Sequence, residues 1–205
     1  MNLHDVRRQL RDNLETVRAR IAAAARRAGR LPDEIRLVVV TKYVGESVIR
    51  ELLALGVRDL GENRVQQLVK RVELLGAAAA GLHESSPQSA APRWHMIGHL
   101  QRNKVRKLLP HVRIIHSLDS TRLAQEVQQR AADHGVLVDA LIEVNVSGEA
   151  SKQGISPSDA PRLAQFVRGC DHLRLRGLMT MAPLSDSPEA ARRPVAALRD
   201  LLAQL

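Results

Sequence analysis

An α/β fold, a TIM-like (β/α)8 barrel lacking its last two strands, is the class the sequence predicts, and three observations predict it. Apolar, β-rich runs and helix-periodic segments take turns six times along the chain, the pattern of a parallel sheet with helical crossovers. The apolar runs are nearly continuous, so both faces of the strands are expected to be covered, as in barrels and doubly wound sheets. No G-x-G-x-x-G follows the first strand and no G-x-x-x-x-G-K-[ST] occurs anywhere. Without the nucleotide fingerprints of doubly wound folds, the barrel is the better fit.

In order, a helix is expected over 3–28, stopping at Gly29 and Pro32, where the left-handed freedom of one and the missing N–H of the other end helical periodicity. Strands follow at 36–41, 57–61, 94–98, 112–116, 138–146 and 173–179, each a short apolar run rich in Val, Ile or Leu. Between and after them, apolar residues recur at helical spacing over 46–55, 63–75, 102–109, 120–134, 157–169 and 188–205. Residues 77–92, with an Ala run and Ser, Pro and Gly, are expected to form a flexible surface insertion and not a domain linker. A full barrel has eight strands over about 250 residues. Six strands in 205 residues therefore read as one α/β-barrel domain, 1–205, incomplete at its C-terminus.

Composition narrows the function. The 31 basic and 22 acidic residues give a net charge of +9, which attracts anions without recognising any of them. Lys occurs only at 42, 70, 104, 107 and 152, so most of the excess is scattered Arg. Trp94, Tyr43 and Phe166 are the only aromatics of their kinds, too few for the stacking platforms of single-strand binders, and no nucleic acid is expected as partner. No run approaches the roughly 18 apolar residues of a membrane span, so a cytoplasmic chain with no membrane partner is expected. The single Cys170 reads as a small packed side chain, since it has no second thiol for a disulfide or metal site.

The chemistry-bearing residues gather at strand ends. Lys42 closes the run Leu37-Val38-Val39-Val40-Thr41-Lys42 with the strand parity of Val38 and Val40, which puts its amine at the mouth where (β/α) barrels do chemistry. Desolvation at such a mouth favours the neutral amine, which reacts with aldehydes. Tyr43, adjacent, is expected to point the other way. Asn63 ends the second strand and is placed to cap the helix that follows. His95 and His99 end the third, but four residues along a strand separate them by about 13 Å, too far to share a metal; no metal is expected. A helix start at Gln101–Lys104 favours anions. His116-Ser117-Leu118-Asp119 and Glu143-Val144-Asn145 end the fourth and fifth strands, with Asp119 or Ser120 as the next helix cap. Lys152 and Gln153 lie in a loop within reach of the mouth, and Met179, ending the sixth strand, suits a flat ligand or an ordinary core equally.

Together these segments resemble the pyridoxal phosphate homeostasis protein family (YggS/PROSC type), which shares the alanine racemase N-terminal barrel of PLP fold type III. The resemblance runs almost end to end. It is carried by Val40-Thr41-Lys42, Gly61-Glu62-Asn63 with Val65-Gln66, Trp94-His95-Met96-Ile97-Gly98-His99-Leu100-Gln101 with Asn103-Lys104, His116-Ser117-Leu118-Asp119, Glu143-Val144-Asn145 with Lys152-Gln153-Gly154, and Arg174-Leu175-Arg176-Gly177-Leu178-Met179. It implies pyridoxal 5'-phosphate (PLP) as cofactor in a Schiff base on Lys42, with Asn63 and Met179 beside it and His95, Ser117 and Asn145 lining the pocket. It further implies storage and delivery of PLP to PLP-dependent apoenzymes, by a monomer or weak dimer with no established turnover and no catalytic residue. Family members continue beyond the last helix into a Gly-Met-Ser segment and an Arg-Ile-Gly strand end that cradle the cofactor phosphate. Neither occurs in these 205 residues, so weakened binding and an open sheet edge are expected. Two other functions remain open: a racemase- or decarboxylase-like enzyme, which needs an acid–base group opposite Lys42, and a basic nucleic-acid-binding protein, which would bind with steep salt dependence.

Overall fold

The computed structural model describes residues 3–79, 91–147, 152–183, 185 and 187–205. Along them run α1 (Leu3–Arg27), β1 (Val39–Val40), α2 (Glu46–Ala54), β2 (Asp59–Glu62), α3 (Val65–Ala79), β3 (Arg93–Met96), α4 (Val105–Leu108), β4 (Ile114–Leu118), α5 (Thr121–Asp133), β5 (Val138–Glu143), α6 (Ala160–Arg168), β6 (Leu173–Met179) and α7 (Pro188–Leu202). The strands lie in chain order, β1-β2-β3-β4-β5-β6, and the pairings β1–β2, β3–β4, β4–β5 and β5–β6 are parallel. A doubly wound sheet reverses its order at a switch point, whereas a β/α barrel winds one way. The unbroken order is of the second kind.

The chain divides into two compact units, Met1–Gly61 with Lys70–Arg93, and Glu62–Val69 with Trp94–Leu205. In the first, α1 lies along α2, and Arg7 of α1 pairs with the buried Glu51 of α2. Ile49 and Leu52, on the same helix, fill the core beside them. Asp59 of β2 is buried and takes both oxygens of its carboxylate to Arg93, at 2.8 and 2.7 Å, the bidentate geometry in which a guanidinium best offsets a desolvated charge. The expected strand over 36–41 is shorter here. Only Val39–Val40 is strand, with Val40 48% exposed, because β1 ends the strand order and has a neighbour on one side only.

In the second unit β5 buries alternate residues, Val138, Ala140 and Ile142, while Asp139 and Leu141 between them are only half-buried. Side chains alternate faces along a strand, so the expectation of strands covered on both faces is met on one face there. Ile115 and Leu118 of β4 are buried as well. Leu123, Ala124, Val127 and Ala131 of α5 and Ala160, Leu163, Ala164 and Val167 of α6 are buried at helical spacing, the single stripe each needs to lie against a sheet. The predicted fifth strand stops at Glu143, three residues early, since Val144 forms an isolated bridge with Ile155 and the next N–H, that of Asn145, donates to Ile155 O. The helix expected over 102–109 is a 3-10 turn, Arg102–Lys104, followed by the four-residue α4, so no long helix presents its N-terminus to an anion there. In the stretch read as an insertion, α3 continues to Ala79, and 80–90 lie outside the described residues.

Candidate functional site

In the first unit the backbone ladder reaches one residue past β1: Thr41 N–H donates to Gly61 O at 3.0 Å. Lys42 is the next residue. It sits half-buried in a turn closed by Val44 N–H donating to Thr41 O at 3.0 Å. Arg71, reaching from α3, donates to both carbonyls of that turn, Nη1 to Thr41 O at 2.7 Å and Nη2 to Val44 O at 2.6 Å. Strand parity therefore does not orient Lys42 and Tyr43, because neither is in a strand. Tyr43 is 89% exposed, and the Lys42 ammonium lies 4.9 Å from the centre of its ring, where the expectation had the two pointing apart.

In the second unit the strand ends form three linked groups. His95 of β3 is buried, and its Nδ1 lies 2.8 Å from His116 Nε2 of β4, the rings meeting edge-on at 5.1 Å. Burial first, and the neighbouring His95 second, push His116 down to about 4. A neutral His116 can supply or accept the shared proton, as its tautomer dictates. Next, His99 Nδ1 lies 3.3 Å from Asp119 Oδ2. Burial holds the Glu143 carboxyl above its usual range, Asp119 adds to the shift, and His99 opposes it. Asp119 is thus part of a charged cluster, and the cap of α5 is Ser120, whose Oγ accepts from Leu123 N–H at 3.3 Å.

The third group is the loop after β5. Asn145 donates from Nδ2 to Lys152 O at 3.3 Å and accepts from Ser147 Oγ at 2.9 Å, so its amide fastens the segment bearing Lys152 instead of standing open. The backbone of Asn145 and Glu143 is bonded to Ile155 at 2.9 Å in both directions. Gly154 makes this possible: at φ +103 a side chain there would meet Asn145 N and Glu143 O, both 2.9 Å away. Met179, half-buried, is tied to the same place by Val144 N–H donating to its carbonyl at 2.8 Å. Asn63 does not cap α3, which begins two residues later at Val65. Its backbone instead packs against Gly98, where a Cβ would stand 2.4 Å from Asn63 O.

Two buried polar atoms of this unit, Ser117 Oγ and Glu143 Oε2, have no hydrogen-bond partner among the described residues. Each such atom costs about 1–3 kcal/mol unless something satisfies it, which is what a polar ligand does. Sequence reasoning named His95, Ser117, Asn145 and Met179, but missed Arg71 and the pairing of His95 with His116. Both are contacts between residues far apart in sequence, with no local signal.

The winding and these strand ends define a protein of the alanine racemase N-terminal class, and the family described as "Alanine racemase, N-terminal domain" matches residues 12–205. The fold is shared with alanine racemase of Clostridium difficile at a TM-score of 0.64, with 14% identity over 83% of this chain and 43% of that one. A nearer likeness is to the curated pyridoxal phosphate homeostasis protein of Aquifex aeolicus, 38% identical over 95% of this chain and 80% of the relative. PipY of Synechococcus elongatus, solved with PLP bound, superposes at a TM-score of 0.73 with 29% identity, over 91% of this chain and 81% of PipY. The chain belongs to the pyridoxal phosphate homeostasis protein family.

Proposed function

We propose that this chain binds pyridoxal 5'-phosphate, stores it as a Schiff base on Lys42, and hands it to PLP-dependent apoenzymes in the cytoplasm. The observation that carries this reading is the station of Lys42: the first residue beyond the β1 ladder, half-buried, on a turn fastened at both ends, in a chain of this family. Lys42 would hold the cofactor through its amine: condensation with the aldehyde would exchange one C=O for one C=N bond and release one water, with no change of oxidation state. Asn63, His95, Ser117, Asn145 and Met179 are assigned to cofactor contacts. Among them Ser117 offers a hydroxyl with donor and acceptor capacity to spare. The role is handling without turnover: Tyr43, the titratable side chain adjacent to Lys42 in sequence, is 89% exposed and unsuited to desolvated acid–base work.

The test is the visible absorbance of the protein with added PLP, before and after borohydride reduction, followed by peptide mapping. A reduced adduct on Lys42 that disappears in Lys42→Ala is expected. A folded protein with no adduct, or an adduct that persists in Lys42→Ala, overturns the reading. Restored activity of a PLP-dependent apoenzyme mixed with the loaded protein is the matching test of delivery, while steady amino-acid turnover would mark an enzyme.

A further inference from the structure

We infer that Arg71 is a positioning residue for Lys42, fixing the turn from which the lysine amine engages PLP; this rests on the reading just given. Arg71 is a charged side chain with only 9% of its surface exposed, and burying a guanidinium is costly unless strong hydrogen bonds offset it. Those bonds reach across 30 and 27 residues of sequence to Thr41 O and Val44 O, the carbonyls immediately outside Lys42 and Tyr43. One planar fork thus closes both ends of a two-residue span, with donors whose mutual geometry does not change. Thr41 is also tied to β2 through its N–H and to Val44 N–H through its carbonyl. The backbone of Lys42 is therefore ordered before any cofactor arrives, and a covalent step from a preordered amine loses less conformational entropy than one from a loose turn.

A lysine in place of Arg71 keeps the charge but is a single point donor, unable to reproduce the fork. The full-length Arg71→Lys and Arg71→Gln variants separate positioning from simple support of the fold. Three quantities are measured: the melting temperature without PLP, amide hydrogen exchange over residues 41–44, and the rate of Lys42 adduct formation at saturating PLP, followed by absorbance and borohydride trapping. For Arg71→Lys, exchange of Val44 N–H and the adduct rate are expected to change by about tenfold, faster and slower respectively, the equivalent of one charge-assisted hydrogen bond. Its melting temperature is expected to fall by only a few degrees, leaving the protein folded at the temperature of the assay. An unchanged adduct rate overturns the positioning role while leaving the Lys42 reading intact. A rate that falls only in step with lost folded protein, or two variants that fail to fold, overturns it in favour of a structural role. A parent protein without any Lys42 adduct overturns the underlying reading, and the positioning role with it.

Discussion

His116 is half-buried and Glu143 buried, both at strand ends, and desolvation pulls the pH dependence of stability in opposite directions at the two. His116 is depressed to about 4 from an ordinary 6.5, so between those values the unfolded chain holds more protons than the folded one. Its contribution is therefore whole above pH 6.5 and is lost as the pH falls toward 4, on the order of 2 kcal/mol once partial exposure is allowed for. Glu143 is raised, so its contribution is present below its ordinary value and is lost as the pH rises through the raised one. Denaturant melts of the unliganded protein from pH 7 to pH 4 are expected to show a net acid loss that flattens in His116→Gln. The same measurement returning identical slopes for parent and variant would refute the assignment. The thiol of Cys170 illustrates the opposite outcome at this scale. Burial, and then Asp171, push it up, and its Sγ–H donates to Phe166 O at 3.4 Å, so it is a half-buried small side chain, as its isolation in the sequence suggested.

Elements were legible to the degree that their own periodicity decided them. The β6 bounds match the expected 173–179, and α5 and α6 carry the apolar stripes that the sequence spelled out. Ends were less legible. Where a strand gives way to a loop depends on which neighbour its N–H groups find: the N–H of Val144 still finds Met179 O of β6, that of Asn145 finds Ile155 O, and residues 36–38 find no second strand. The join between the ends of β2 and β3 is a case where one atom matters. Gly98 faces the backbone of Asn63 with no room for a Cβ, and Ile97 N–H donates to Glu62 O at 2.9 Å beside it. Because the obstructing atoms are backbone, Gly98→Ala is expected to cost about 2–3 kcal/mol through forced separation of the two segments. Thermal melting checks it, and a melting temperature equal to the parent's would mean that the contact relaxes freely.

For the whole molecule, ligand linkage offers the broadest test. Anything that binds only the folded chain stabilises it by mass action, about 2.7 kcal/mol at a hundredfold excess over Kd. PLP titration is thus expected to raise the melting temperature of the parent progressively and to lose most of that effect in Lys42→Ala. Pyridoxal without the phosphate tests how far the anion contributes, in a chain whose +9 charge favours anions in general. No helix among the described residues is long and apolar enough to cross a membrane.

By itself the sequence determined the alternation of strands and helices, the apolar faces of α5 and α6, the placing of Lys42 and the other polar residues at strand ends, and the family motifs. These depend on local patterning, on periods of two and 3.6 residues that a short window already contains. Only the tertiary structure decided that Arg71 fastens the Lys42 turn, that His95 pairs with His116, that Asp119 joins His99 while Ser120 caps α5, and that the Asn145 amide is used to hold a loop. Each of these depends on which donors and acceptors from separate elements come within hydrogen-bonding distance. That is set by register and packing, where a shift of one residue would exchange every partner.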